Sequence, residues 1–208
     1  MEASIHPSRD LTKLDPKGLS VRDRLLRTAM ILFNAHGVHT GIDRIIEESG
    51  VSKKSFYNHF PSKEKLLAAY LEEKDRIRFE SLYAYTIYAH KDPMQRLLGI
   101  FDSLGAWINE KDFRGCPFTK GLTDFSGGPG SEPHAIVARH FSKYETLITT
   151  LLSDLLPASV IKPMLLQTMS LIAGTTIIGL ATGSAQIAQI NKKSLEELVK
   201  IEQQKVAA

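Results

Sequence analysis

Residues 50–64 read Gly-Val-Ser-Lys-Lys-Ser-Phe-Tyr-Asn-His-Phe-Pro-Ser-Lys-Glu. Ser52 supplies an N-cap and Pro61 a stop, so a short helix is expected over 53–60. At 100° per residue, Lys53, Lys54, Tyr57 and Asn58 fall within an arc of about 140°, with Phe56, His59 and Phe60 opposite. The apolar side anchors the helix. The other side offers two ammonium groups, a phenol and an amide. Such a helix fits the major groove of B-DNA, where Lys donates to guanine O6 and N7 and Asn pairs bidentately with adenine. On spacing alone, a surface helical hairpin with a solvated basic face fits the same residues equally well.

The surrounding sequence has helical period almost throughout. Ser20 and Asp23 form a capping box ahead of Val21, Leu25, Ala29, Leu32 and Phe33, and Gly37 ends that helix, over about 20–36. Thr40 and Asp43 repeat the capping pattern before a second helix that Gly50 stops. Ser62 opens a long helix to about His90, and Asp92-Pro93 starts another to about Glu110. After the interruption at Phe113–Phe118 comes a short helix, then an irregular loop at Gly127-Gly128-Pro129-Gly130. Long helices are expected over 132–156 and 159–183, and a last one from Ser194 to about Lys205. No alternating β-branched run and no internal repeat stands out, so the fold class is all-α.

The stretch from Gly37 to Leu67, GVHTGIDRIIEESGVSKKSFYNHFPSKEKLL, resembles the N-terminal DNA-binding domain of the TetR family of bacterial regulators. The likeness covers about 20–67, a quarter of the chain. It implies a three-helix helix-turn-helix domain joined to a larger helical ligand-binding and dimerisation domain. The expected divisions are a flexible basic arm over 1–19, the DNA-binding domain over 20–66 and the larger domain over 67–208. The resemblance further implies a ligand-responsive homodimer, a repressor, that binds a near-palindromic double-stranded operator and is released by a small-molecule inducer. Its subunits would pair through the C-terminal helices, about 159–205. Carried over by position, Lys53, Lys54, Ser55, Tyr57 and Asn58 meet bases or nearby backbone, while Thr40, His59 and Lys63 touch phosphates or hold the helix. Two features depart from the family pattern. Only Val38 and His39 separate Gly37 from Thr40, and Gly41 stands where Ser or Thr is common.

Composition is that of an ordinary globular protein and argues against intrinsic disorder, collagen and a dedicated membrane protein. The 208 residues are 43% hydrophobic and 24% charged, the balance of a globular chain able to bury a core without staples. Residues 1–65 carry 11 Lys and Arg against 8 acids, and the rest carries 15 of each, so the whole net charge of +3 lies in the first third. With no apolar run behind a basic start, the default compartment is the cytoplasm. Residues 165–181 are the most apolar. They contain Gln167, Ser170, three threonines and two glycines, and fall short of the ~20 apolar residues a span needs. Small residues four apart, Ser170 with Gly174 and Thr175 with Gly179 and Gly183, suit close helix packing, within one chain or between two.

No catalytic constellation, cofactor motif or metal-ligand spacing is present, and no enzyme activity is expected. The histidines form no H-E-x-x-H, no G-x-S-x-G occurs, and the glycine loop lacks a following Lys-Ser/Thr pair. A helical small-molecule carrier or a protein-binding adaptor is the alternative reading. In the larger domain, Phe101 and Trp107 are candidate ligand contacts, six residues apart on the helix leading to Cys116. The single cysteine, Cys116, stands near Arg114, Lys111 and Lys120 at a loop-to-helix start, features that favour a reactive thiol. As a small apolar residue it also suits a buried packing position.

Overall fold

Ser20 Oγ accepts the Asp23 N–H and starts α1 (Val21–His36), which Gly37 terminates at φ +83°. The computed structural model describes residues 10–124 and 130–207. Helix α2 (Ile42–Ser49) ends on Gly50 in the left-handed region, at φ +63°, where a side chain would be strained. Ser52 Oγ caps α3 (Lys53–His59) by accepting the Ser55 N–H, and Ser62 Oγ caps α4 (Lys63–Tyr83) through the Lys65 N–H. Asp92 and Pro93 begin α5 (Pro93–Ile108). Next come α6 (Pro117–Asp124), α7 (Glu132–Ser153), α8 (Ala158–Thr182) and α9 (Gln186–Ala207). Among the described residues the secondary structure is helical, without strands.

The structure corrects four expectations. Thr40 is not the N-cap of α2. Gly41 is, and it provides no side-chain hydrogen bond, while the Thr40 hydroxyl and N–H both return to the Gly37 carbonyl, at 2.8 and 3.2 Å. Helix α9 starts eight residues before Ser194. Gly183 turns left-handed at the end of α8, Ser184 Oγ accepts the Gln186 N–H, and Ser194 lies mid-helix with its hydroxyl donating to the Ile190 carbonyl. The α4 helix does not run regularly to His90, because Ala84–Tyr88 widens into a π-helical turn. Finally, residues 10–19 are no flexible arm. They form two one-turn 3₁₀ helices capped by Asp10 and Asp15, with Leu11 buried and Arg27 donating to the Leu14 and Thr12 carbonyls. The Arg9 part of the expected arm and most of the glycine loop lie outside the described residues.

The chain forms two packed units. One comprises the chain up to Arg78 together with Cys116–His140, and the other Phe79–Gly115 with Phe141–Ala208. Helix α6 and the start of α7 thus group with the helix-turn-helix, whereas the expected boundary at 66/67 assigns them to the larger domain. Side chains explain the grouping. Lys65 pairs with Glu132 at 3.1 Å, Arg139 with Glu72, and buried His140 with buried Asp75.

In the second unit α5 packs on α8 and α9. Phe101, Leu97, Leu104 and Leu195 lie in a core that Tyr144 and Ile148 share. Polar clamps fix the α9 register. Lys192 Nζ donates to Asp102 at 2.6 Å, and Asn191 Nδ2 donates to Thr175 Oγ1 at 2.8 Å and to the Leu171 carbonyl at 3.3 Å. Helix α8 is long and apolar enough to cross a membrane by length and composition. The row of Thr175 and Gly179 is nevertheless buried within the unit, Gly179 against the Ile108 side chain. A second stripe along α8, formed by Leu166, Ser170, Ile177 and Ala181, is exposed.

The π-helical turn requires a glycine opposite it. A Cβ at Gly99 would overlap the backbone carbonyl of Tyr85, a contact that no side-chain rotation relieves. Gly99→Ala is therefore expected to lower stability by about 1–3 kcal/mol, the usual range for overpacking, measured by urea unfolding. An unchanged midpoint would contradict the close approach.

Candidate nucleic-acid interface

A seven-residue helix has little stability of its own, so α3 depends on the surface that its apolar side meets. Phe56 is fully buried, with Ile45, Val51 and Phe60 also buried, and α1, α2 and α3 pack against one another. Tyr57 lies edge-on to Phe56 with ring centroids 5.2 Å apart, and the Arg22 guanidinium sits over the Phe60 ring at 5.2 Å. With that side fixed, Lys53, Lys54, Tyr57 and Asn58 are exposed together. Tyr57 keeps 43% of its surface accessible, unusual for an aromatic residue beside a core. Ser55 is half-buried. His59, expected on the anchoring side, is exposed at the C-terminal end of α3.

The face is not electrostatically uniform. Lys53 Nζ donates to Asp43 Oδ1 at 3.1 Å, and that hydrogen bond holds the Lys53 ammonium above its ordinary pKa. Asp43 sits in the first turn of α2, where a negative charge complements the helix dipole. Gly41 leaves the N–H groups of that turn without a side-chain acceptor. Lys63, in the first turn of α4, is half-buried, and burial pulls its pKa down. Thr40 is buried with its only hydroxyl proton committed to Gly37, so it locks the turn before α2 rather than presenting a donor. Asp43 was readable only as a capping residue, since nothing in a ten-residue separation announces its pairing with Lys53.

The candidate ligand residues do not form one cluster. Phe101 is fully buried in the core of the second unit, and half-buried Trp107 meets Phe113 edge-on at 5.0 Å. Cys116 belongs to the first unit. Its thiol is pushed up by burial, but hydrogen bonds from the His140 side chain and from the Thr119 backbone and hydroxyl, with the His140 charge, bring it below the ordinary thiol value. The flanking cations are not the cause, and Arg114 donates to the Phe113 and Lys111 carbonyls. The sequence does not show that His140, 65 residues along the chain, pairs with Asp75.

Residues 25–70, which span α1 to the first turns of α4, match the family model for bacterial regulatory proteins of the TetR family. This stretch is a TetR-family N-terminal domain. The chain is 29% identical over 137 residues to the HTH-type transcriptional regulator YxaF of Bacillus subtilis, covering 64% of this chain and 70% of that protein. It is 34% identical over 100 residues to the regulator LmrA of the same organism, covering 46% and 52%. The structure of a TetR-family transcriptional regulator from Streptomyces coelicolor superposes with a TM-score of 0.78 at 25% identity, covering 88% and 96%. The family gathers transcriptional regulators rather than enzymes, with an N-terminal helix-turn-helix domain and a helical C-terminal domain. This chain is a transcriptional regulator with that DNA-binding domain.

The cap on α3 carries a direct expectation. Ser52→Ala leaves the Ser55 N–H without its acceptor and should cost about 1 kcal/mol, read by thermal unfolding. Retention of full stability would show that the cap does not hold the helix.

Proposed function

We propose that the protein is a ligand-responsive homodimeric repressor that binds a near-palindromic operator through the exposed face of α3. The observation that carries this reading is the joint exposure of Lys53, Lys54, Tyr57 and Asn58 on a helix whose other side is fixed by buried Phe56. Lys53, Lys54 and Asn58 have the donors that read base edges, Tyr57 supplies contact area, and Ser55 serves the backbone or bases near the helix start. Lys63 and His59 suit phosphate contact. Thr40 acts by setting the start of α2, whose open first-turn N–H groups are suited to a phosphate oxygen.

Two recognition helices need a symmetric partner. The stripe of Leu166, Ser170, Gly174, Ile177 and Ala181 along α8, continued by Ile190 and Ile201 on α9, favours pairing of two copies through α8 and α9. Leu166 is 59% and Ile177 56% exposed, which burial in a dimer would relieve. The inducer would bind in the C-terminal helices, with Trp107 as one partly accessible aromatic there, and the regulator would act in the cytoplasm. Phe101, being fully buried, would line such a site only after rearrangement.

Selection of bound duplexes from a random pool at about 0.15 M salt tests the reading. A near-palindrome with half-sites one helical turn apart, ~34 Å, is the expected outcome. No enrichment by a folded dimer would overturn it in favour of a carrier or adaptor. On the enriched duplex, Lys53→Ala should relax one position by about 1–3 kcal/mol, whereas Lys63→Ala should weaken every sequence alike. Equal losses on all variants from both would contradict that division. Ile177→Lys should halve the mass in solution from twice 23.1 kDa to one chain. A dimer that survives this change would place the interface elsewhere.

A further inference from the structure

Asp43 reaches from the first turn of α2 to the first residue of α3, where its Oδ1 accepts a hydrogen bond from Lys53 Nζ at 3.1 Å. Two residues on, Ile45 is fully buried, and α2 packs on α1 and α3, so the carboxylate rides on a helix whose rotation the core has fixed. The neighbouring cation on α2 is engaged elsewhere. Arg44 donates through Nε to Glu48 Oε1 at 2.8 Å, and its Nη2 lies 3.1 Å from His36 Nε2. The two lysines that open α3 therefore differ. Lys53 is tethered at a fixed point, while Lys54, beside it on the exposed face, has no ion pair or hydrogen bond from its side chain to a described residue. The tether is exposed at both ends, with 65% of the Lys53 side chain and 86% of the Asp43 side chain accessible. Exposed pairs contribute little to stability, so the consequence of this one is where it puts an ammonium group.

We propose that Asp43 is a specificity-determining residue, which holds the Lys53 ammonium for one guanine in each half-site and keeps that charge from the phosphates. The proposal rests on the repressor reading of α3. An ammonium group has three N–H donors and no acceptor. Asp43 occupies one of them, and two remain, the number that guanine O6 and N7 accept in the major groove. Adenine presents an amino donor where guanine has O6, and an ammonium held in one position has nothing to accept it with. A lysine without the tether turns to the nearest phosphate instead, an attraction that carries no sequence information. Holding the stem beforehand also reduces the side-chain freedom lost when the base is bound. Asp43 lowers affinity for non-operator DNA in two ways, since its own charge repels phosphate and its hydrogen bond engages Lys53. Selectivity is a difference between affinities, and it grows when the affinity for the wrong sequences falls.

The test titrates the full chain against three kinds of duplex at several salt concentrations. They are the duplex enriched from the random pool, the same duplex with each other base at the position that Lys53→Ala relaxes, and a duplex of scrambled sequence. Asp43→Asn keeps the size of the side chain and removes its charge, and because the pair is exposed the variant should keep its fold. It is expected to reduce the base preference at that position by about fivefold or more. On the scrambled duplex it should tighten binding about fivefold and steepen the log–log salt slope by ~0.9 for each half-site, as a freed ammonium neutralises a phosphate. In Lys53→Ala, adding Asp43→Asn should reduce the preference no further, because the carboxylate acts through that lysine. A residue that only supported the fold would weaken every duplex alike. That uniform loss overturns the proposal, as does an unchanged preference, an absent gain on the scrambled duplex, or a further loss of preference in the double variant. If the wild type enriches no duplex, the repressor reading fails and this assignment with it. An enriched wild-type duplex beside an unchanged Asp43→Asn preference overturns this assignment alone.

Discussion

The burial of one aromatic ring governs the exposed polar face of α3. Helix α3 is seven residues long, too short to persist in water, and it exists because Phe56 is withdrawn completely among α1, α2 and α3. Once that ring is fixed, the 100° step of the helix leaves Lys53, Lys54, Tyr57 and Asn58 no direction but outward. Gly50 completes the constraint, since the left-handed residue between α2 and α3 sets their crossing at a position where other side chains are strained. Specific chemistry on one side of this helix is a product of unspecific packing on the other. The Lys53–Asp43 pair adds a polar link between the two helices, although an exposed pair of this kind contributes little to stability.

The second unit applies the same logic to longer helices. Its core is apolar, and the register of α9 is set by a few polar contacts, Lys192 to Asp102 and Asn191 to Thr175. Ions and amides that leave water cost free energy unless they are paired, so a slipped register that unpairs them is disfavoured. The α8 helix shows how one sequence carries two jobs. Its Thr175 and Gly179 row lets α5 and α9 approach closely, while the Leu166 to Ile177 stripe remains exposed and apolar.

Features encoded locally were legible in the sequence. The caps at Ser20, Ser52 and Ser62, the Asp92-Pro93 start and the stops at Gly37 and Gly50 are each written within four residues, and helices begin or end at those places. The exposed side of α3 was legible from its period, apart from His59. Elsewhere a local signal had two meanings. Thr40 carries a capping residue's chemistry but spends its hydroxyl on the turn, and Ser194 looks like a cap but bonds backward inside α9. Features built from distant residues were not legible at all. The Asp75–His140 pair spans 65 positions, the π-helical turn is paired with a glycine eleven or more residues away, and the division into units depends on ion pairs between α4 and α7.

The central claim is that the exposed face of α3 enters a major groove. Methylation interference at guanine N7 on a pool-selected duplex tests it most directly, because N7 lies only in that groove. Interference is predicted at guanines in two half-sites about one helical turn apart, with the signal at one position per half-site lost in Lys53→Ala. Interference confined to minor-groove adenine N3, or a pattern identical in the wild type and Lys53→Ala, would contradict it.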